Sequence, residues 1–290
     1  MLSHKFHILM KKVVFITLIL LTISPQLFAQ ISSEEKNALL DIYKTTNGES
    51  WTVKWNLNEP AKNWHGVTVN NNTVTELDLS MNNLSGQLPA SLSDLQSLKH
   101  LNLGFNNLNG SIPKALTNLQ HLETLHLFMN NFEGEIPSSI GKLQNLRELV
   151  IYNNAINGTL PNEIYLLKNL QVLHLSSNKL SGSIHRDISN LKDLQVLSLF
   201  DNSMYGNLPA EIGLLSNLTE LTLANNLFDG SVPSAIGNLK QLEIILLNNN
   251  NFIGEINESI LALPNLKVFE FYNNPLSIDI DAKPVSQTQP

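Results

Sequence analysis

The sequence predicts an α/β repeat solenoid, in which short coils of chain stack side by side around one continuous core. Three observations carry this prediction: a 24-residue period without insertion, two apolar residues spaced two apart, and an asparagine three residues later. Fixed periods of roughly 20–50 residues are typical of repeat arrays. The first apolar column holds Leu77, Leu101, Leu125, Leu149, Leu173, Leu197, Leu221, Ile245 and Phe269, and the second holds Leu79, Leu103, Leu127, Ile151, Leu175, Leu199, Leu223, Leu247 and Phe271.

Each apolar pair predicts a short strand, because alternate side chains of a strand point to opposite faces. In Leu125-His126-Leu127 the leucines face inward and His126 faces outward. One strand cannot bury its apolar side alone, so we expect parallel strands of successive coils to form the core. The asparagine then turns the chain away, and its amide can pair backbone groups that would cost about 1–3 kcal/mol each if buried unpaired. This structural ladder comprises Asn82, Asn106, Asn130, Asn154, Asn178, Asn202, Asn226, Asn250 and Asn274.

The second half of each repeat contains a glycine and, in six repeats, a proline. The glycine stands four residues after the asparagine, as in Gly134, and an Ile-Pro or similar pair follows, as in Ile136-Pro137. Glycine suits a backbone bend, and proline prevents a regular helix there. His185 and Asn257 replace the proline in two repeats, where we expect the convex side to loosen.

This Gly-x-Ile-Pro half resembles the plant-type leucine-rich repeat of receptor-kinase ectodomains, polygalacturonase-inhibiting proteins and some secreted bacterial proteins. The resemblance covers roughly residues 33–277. It implies a right-handed superhelix with a parallel concave sheet and an irregular or 3-10 convex side. On this basis residues 73–277 form eight full repeats and one partial repeat.

Residues 1–29 have the pattern of a secretory signal peptide. Lys11 and Lys12 precede the apolar run 13–21, and Ala29 stands at a plausible cleavage site. The run is short for a membrane span, which needs about 20 apolar residues. We therefore expect a secreted, cell-surface or periplasmic protein without a transmembrane span in the mature chain. Removal of the signal peptide lowers the number of Lys and Arg residues from 18 to 15, while the 25 Asp and Glu residues remain. The resulting negative net charge argues against nucleic-acid binding.

Residues 30–72 are predicted to form an N-terminal cap without disulfides, since the chain contains no cysteine. Ser32 and Glu35 have the spacing of a capping box, and the helix they begin would stop near Gly48. Trp51, Trp55 and Trp64 are all the tryptophans of the chain. They either seal the open end of the first coil, which is the interpretation we favour, or bind sugar by stacking. Residues 278–290 are polar and proline-bearing, which predicts a flexible tail.

The concave face offers a candidate partner-binding site. Large apolar residues cluster at the two positions after the second strand residue of the early repeats, and neighbouring strands lie about 4.8 Å apart. Such clusters on a solvent face mark interaction sites, although they can also pack over the strand ends. The candidate residues, with two outward-facing histidines, are Met81, Phe105, His126, Phe128, Met129, Tyr152, His174 and Phe200.

The same face gives little sign of metal or catalytic chemistry. His100 and His126 lie on adjacent strands, so a shared metal is conceivable, but no third ligand stands at a suitable spacing. No serine with a base, carboxylate pair or phosphate loop stands out. We therefore expect no metal, no cofactor and no enzymatic activity.

Two functional hypotheses follow from this pattern. The first is an extracytoplasmic recognition module that binds a protein or peptide on its concave face; resemblance to the inhibitor branch suggests a secreted polysaccharide-degrading enzyme as partner. The alternative is a protein that binds a glycan or an ice-type surface through a side or convex face. That alternative requires a regular ladder of threonines or serines, whereas the position after the glycine reads Gln87, Ser111, Glu135, Thr159, Ser183, Asn207, Ser231 and Glu255.

Overall fold

The computed structural model describes residues 30–277 of the chain. The segment predicted as a signal peptide, 1–29, and the predicted tail, 278–290, lie outside the described residues. Within them the chain forms a solenoid whose larger sheet has ten strands, with one strand from each of nine successive coils and one from the cap. The predicted fold class is confirmed.

The larger sheet is parallel except at its N-terminal edge. Leu125 lies opposite Leu101 on one side and Leu149 on the other, so each strand pairs with residues 24 positions away. The first two strands instead form an antiparallel hairpin. The strands are β1 (Val67–Asn70), β2 (Thr73–Asp78), β4 (His100–Asn102), β6 (Thr124–His126), β8 (Glu148–Val150), β10 (Val172–His174), β12 (Val196–Ser198), β14 (Glu220–Thr222), β16 (Ile244–Leu246) and β19 (Val268–Glu270).

A second parallel sheet follows the asparagines, and the sequence did not predict it. It has eight strands and stacks the segments that follow the ladder asparagine in successive coils. Its strands are β3 (Ser85–Gly86), β5 (Asn107–Ser111), β7 (Asn131–Glu135), β9 (Ala155–Thr159), β11 (Lys179–Gly182), β13 (Ser203–Asn207), β15 (Leu227–Gly230) and β17 (Asn251–Phe252), while β18 (Gly254–Glu255) pairs with β20 (Leu276–Ser277).

Short 3-10 helices complete most coils, as the resemblance implied. A proline precedes seven of the nine described here, as Pro137 does at the helix Ser138–Lys142. The 3-10 helices are Gly48–Ser50, Ala61–Asn63, Ala90–Asp94, Lys114–Asn118, Ser138–Lys142, Asn162–Leu166, Arg186–Asn190, Ala210–Leu214 and Ser234–Asn238, and the α-helices are α1 (Ser33–Thr45) and α2 (Glu258–Leu261).

The loosening expected at His185 and Asn257 is wrong, because each side chain caps the helical turn that follows. The His185 Nδ1 accepts from the Asp187 N–H at 3.3 Å, and the Asn257 Oδ1 accepts from the Ser259 N–H at 3.0 Å. Both residues keep extended backbone angles like those of the prolines elsewhere. A side-chain cap therefore replaces the conformational restriction that proline supplies.

Aliphatic residues fill the core, and the asparagine side chains form a polar row beside it. The Asn130 Nδ2 donates to the carbonyls of Leu103, Leu127 and Phe128 at 2.9, 3.1 and 3.2 Å, and its Oδ1 accepts from the Leu108 N–H at 2.9 Å. One amide thus pairs backbone groups from two coils. Asn106, Asn154, Asn178, Asn202, Asn226, Asn250 and Asn274 repeat the pattern.

The N-terminal cap closes the first coil with aromatic packing. Ser32 and Glu35 form the predicted capping box, and the Glu35 Oε1 also accepts from the Val74 N–H of β2 at 2.9 Å. Trp51, Trp55 and Trp64 are buried in the core, which agrees with the sealing interpretation.

Helix α1 ends at Thr45, three residues before Gly48. The Thr46 hydroxyl donates to the Ile42 carbonyl at 2.7 Å at this end. Gly48 serves a different purpose, because a Cβ there would enter the Tyr43 ring.

Candidate functional site

Three aromatic rings and one imidazole pack against one another across four neighbouring coils. The Phe105 and Phe128 ring centroids lie 5.4 Å apart edge to face, Phe128 and Tyr152 stack at 4.9 Å, and Tyr152 and His174 stack at 4.5 Å. We call these four residues the aromatic ladder. Residues from four coils thus form one continuous surface near the N-terminal half of the sheet.

Gly104 makes room for this stacking, a role that the sequence analysis missed. A Cβ at Gly104 would lie 2.5 Å from the Phe128 Cζ, so the ring rests directly on the glycine backbone. Gly104 lies outside the glycine column of the repeat and occupies the same repeat position as Phe128 and Tyr152. A glycine at an aromatic position, next to large rings, was the available signal.

Three large residues of the site hold backbone angles that ordinarily suit asparagine. Met81, Phe105 and Met129 have φ values of +55°, +54° and +51°. Bulky L-residues rarely adopt this left-handed region, whereas asparagine tolerates it. Later coils place Asn153, Ser177, Asp201, Asn225, Asn249 and Asn273 at the same position.

Two of these strained residues are also open to solvent. Met81 is 71% exposed and Phe105 is 44% exposed. Burial in the core therefore cannot compensate fully for their backbone strain. Met129 is half-buried, and its N–H donates to the Tyr152 carbonyl of the next coil at 2.9 Å.

Charged pairs lie on, or one residue before, the strands that precede the ladder rings. The Glu123 carboxylate lies 3.2 Å from the Lys99 Nζ and 3.8 Å from the Arg147 Nε. The His126 Nε2 lies 2.8 Å from the Glu148 Oε2, and the His126 ring centroid is 6.2 Å from that of Phe128. These partly exposed pairs contribute little stability, and the His126–Glu148 pair lies beside the Phe128 ring.

The structure places the remaining predicted residues differently. His174 completes the ladder, and burial lowers its pKa from the ordinary value. Phe200 lies two coils beyond Tyr152, and within residues 30–277 no aromatic ring stacks on it. The intervening Ser176 is buried and exchanges a 2.7 Å hydrogen bond with Ser198.

His100 and His126 have separate hydrogen-bond partners. The His100 Nδ1 lies 3.1 Å from the Thr124 Oγ1, whereas His126 faces Glu148. Across the described part of the chain, no three His, Asp or Glu side chains lie close enough to hold a metal ion.

Sequence profiles agree with this architecture. The profile described as leucine-rich repeat region matches residues 72–200, and the profile described as Leucine Rich Repeat matches residues 217–239. Together the two matches include more than half of the 290 residues. The chain belongs to the leucine-rich repeat family. A comparison with curated proteins found no match.

Solved structures show that this leucine-rich repeat protein is similar to plant receptor ectodomains. The leucine-rich repeat ectodomain of the plant membrane receptor kinase GASSHO1/SCHENGEN3 from Arabidopsis thaliana, in complex with CASPARIAN STRIP INTEGRITY FACTOR 2, is 36% identical with a TM-score of 0.80, and the match covers 83% of this chain and 30% of that one. The plant peptide hormone receptor RGFR1 in complex with RGF2 is 31% identical with a TM-score of 0.64, covering 69% and 36%.

A bacterial structure is also similar. A leucine-rich repeat protein of Leptospira interrogans is 32% identical with a TM-score of 0.52, and the match covers 70% of this chain and 56% of that one. The leucine-rich repeat protein therefore spans about a third of the length of the two plant receptors and about half of the bacterial protein. Between residues 30 and 277, no helix combines the length and apolar character that crossing a membrane requires.

Proposed function

We propose that the protein is a non-enzymatic recognition module that acts outside the cytoplasm and binds a protein or peptide on the aromatic ladder. The observation that carries the proposal is the exposed, strained apolar surface formed by Met81 and the ladder. Aromatic side chains are favoured anchors at interfaces, where they bury much area at little entropic cost.

The strained backbone distinguishes this function from simple packing. Left-handed residues with bulky side chains cost stability, and such violations of local preference concentrate at functional sites. At the same repeat position, asparagine would relieve the strain at Met81 and Phe105. Their large side chains, partly in solvent, therefore favour a role in contacting a partner.

The similar receptors support an extracellular ligand. The structures of GASSHO1/SCHENGEN3 and of RGFR1 are complexes, with CASPARIAN STRIP INTEGRITY FACTOR 2 and RGF2. We extend from them only the class of function, which is ligand binding by a leucine-rich repeat ectodomain. The predicted signal peptide is consistent with this location.

Affinity capture tests the proposal directly. The mature chain is immobilised, exposed to culture medium of its source, and the captured proteins and peptides are identified by mass spectrometry. We expect the Phe128→Ala/Tyr152→Ala variant to lose the partner. A matched Tyr205→Ala/Leu227→Ala variant, which removes exposed apolar residues from the second sheet, should retain it. If both variants capture the partner equally well, binding on the aromatic ladder is contradicted.

A finer version of the proposal names the partner as a secreted polysaccharide-degrading enzyme. It predicts that the mature chain lowers the rate of polysaccharide hydrolysis by the captured enzyme, and that Phe128→Ala/Tyr152→Ala restores the rate. If the captured enzyme hydrolyses polysaccharide at the same rate with and without the mature chain, the inhibitor role is contradicted, while partner recognition is not. The alternative function, binding of a glycan or ice-type surface through a side or convex face, requires a regular ladder of threonines or serines. The position after the repeat glycine instead reads Ser111, Glu135 and Thr159 in three successive coils of the second sheet.

A further inference from the structure

Asn248 follows strand β16, and within residues 30–277 its side-chain oxygen has no hydrogen-bond partner. Its side-chain Oδ1 is fully buried, and no group in residues 30–277 donates to it. By contrast, the amide of Asn250 donates to three carbonyls, of Leu223, Leu247 and Asn248. A buried polar atom without a partner is unfavourable and calls for an explanation outside the folded chain.

Small, polar and aromatic residues occupy the two repeat positions around Asn248. Ala224 and Tyr272 occupy the same repeat position in the neighbouring coils, and Tyr272 is 48% exposed. Next to them the Asn249 Nδ2 donates to the Asn225 Oδ1 at 2.5 Å. The Asn273 Nδ2 in turn donates to the Asn249 Oδ1 at 2.6 Å. A small residue, an exposed ring and a row of amides therefore share one patch.

Backbone conformation explains some of these asparagines but not Asn248. Asn225, Asn249 and Asn273 have positive φ, where asparagine is favoured. Asn248 has no positive φ, and serine, phenylalanine, alanine and tyrosine occupy its position in other coils. Within residues 30–277 the buried Oδ1 of this amide accepts no hydrogen bond, and the amide brings no conformational benefit. Its presence is better explained by a ligand.

We propose that Asn248, Tyr272 and the adjoining amides form a second binding site, for a neutral saccharide. Amides both donate and accept hydrogen bonds, as hydroxyl groups do. An exposed tyrosine ring offers an apolar surface for the face of a sugar ring. No group in the described part of the chain, 30–277, donates to the Asn248 Oδ1, so rotation about the broad χ2 torsion breaks no bond to that atom and turns the amide toward the ligand.

The lack of charged residues at the patch positions favours a neutral saccharide over an anionic one. From Ala224 to Asn273 the two repeat positions that form the patch carry no charged residue. Glu270 flanks it from β19 as a half-buried side chain, and a carboxylate accepts hydrogen bonds from hydroxyl groups. A phosphorylated or otherwise anionic ligand would meet this carboxylate without a cation on the patch itself.

Calorimetric titration of the mature chain with cellohexaose, xylohexaose and mannohexaose tests the site. At least one should bind, and Tyr272→Ala or Asn248→Ala should weaken it by about tenfold or more, which corresponds to one well-placed contact. Tyr205→Ala, an exposed tyrosine of the second sheet, and Phe128→Ala/Tyr152→Ala should bind the same saccharide as wild type does. The latter result separates this site from the aromatic ladder.

Four outcomes would overturn the proposal. The first is no binding of any hexaose at up to about 10 mM, well above ordinary affinities. The second is binding that Tyr272→Ala leaves unchanged. The third is tighter binding of hexaglycine, which offers backbone hydrogen bonds without a sugar ring. The fourth is an Asn248→Ala variant whose Tm falls as far as that of Asn250→Ala, because the Asn250 amide donates to three carbonyls and the Asn248 Oδ1 has no partner in residues 30–277.

Discussion

At the scale of single residues, the asparagine row links each coil to its neighbours. The Asn130 amide pairs carbonyls of Leu103 and Leu127, which belong to adjacent coils, and it accepts from Leu108. These backbone groups are buried, so the protein must satisfy them internally. The side chain therefore acts as a connector between coils as well as a turn residue.

We expect Asn130→Ala to lower the free energy of unfolding by about 3 kcal/mol or more, because several buried backbone groups lose their partner at once. Chemical denaturation followed by circular dichroism measures the change. The matched control is Asn131→Ala, an exposed neighbour, which should change stability by no more than about 0.5 kcal/mol. Similar losses in the two variants would show that the buried amide has no special role.

The strained position of Phe105 leads to a prediction in the opposite direction. Phe105→Asn should raise the free energy of unfolding by up to about 1 kcal/mol, because asparagine relieves the left-handed strain. The same change should weaken partner capture. A variant that loses stability instead would mean that the Phe105 ring is chiefly a packing residue. Asp201→Asn, at the same position in a later coil, serves as the control and should leave capture unchanged.

Residue types alone predicted much of this site. The repeat register brings Phe105, Phe128 and Tyr152 to neighbouring strands, and they do lie in contact. Ring orientation, the space made by Gly104 and the stacking of His174 depend on rotamers and local backbone. A one-dimensional pattern does not contain that information.

At the scale of elements, side-chain caps replace proline in two coils. His185 differs from Asn257 because its N–H also donates to the Tyr165 hydroxyl at 3.1 Å. Tyr165 is buried, and burial raises the pKa of its hydroxyl. The N–H of His185 is therefore part of the core's hydrogen bonding.

Substituting proline at His185 and at Asn257 should therefore change the free energy of unfolding by different amounts. Both His185→Pro and Asn257→Pro lose a side-chain cap, but only His185→Pro removes the donor to the Tyr165 hydroxyl. We expect His185→Pro to be less stable by about 1–2 kcal/mol than Asn257→Pro, as measured by denaturation. Adding Tyr165→Phe to His185→Pro should bring its stability to that of Asn257→Pro. If the double variant stays less stable, the loss comes from backbone strain and not from the unpaired Tyr165 hydroxyl.

The strands of the second sheet were not predicted from the sequence. Its strands contain asparagine, glycine and alternating polar residues, as in β7, Asn-Phe-Glu-Gly-Glu. This composition suggests a loop, because glycine and asparagine are uncommon in strands. The strands exist because identical coils place backbone donors and acceptors in register, as Gly134 opposite Ile156 illustrates. Stacking of the repeats therefore overrides local propensity.

At the scale of the whole molecule, the two ends of the solenoid differ. The tryptophans and the β1–β2 hairpin cover the first coil. At the last described coil, Phe269, Phe271 and Leu276 are only partly buried, whereas their equivalents in earlier coils are almost fully buried. The aromatic ladder lies nearer the covered end, where packing fixes its strands between ordered neighbours. A rigid scaffold of this kind favours a preorganised binding surface.

The central claim is that a partner docks on the aromatic ladder, and hydroxyl-radical footprinting of the captured complex tests it most directly. Oxidation of Met81, Phe105 and Met129 should fall strongly when the partner is bound, while that of Tyr205 and Leu227 on the second sheet should not change. Unchanged oxidation of Met81 and Phe105, with protection of Tyr205 or Leu227 instead, would contradict the account.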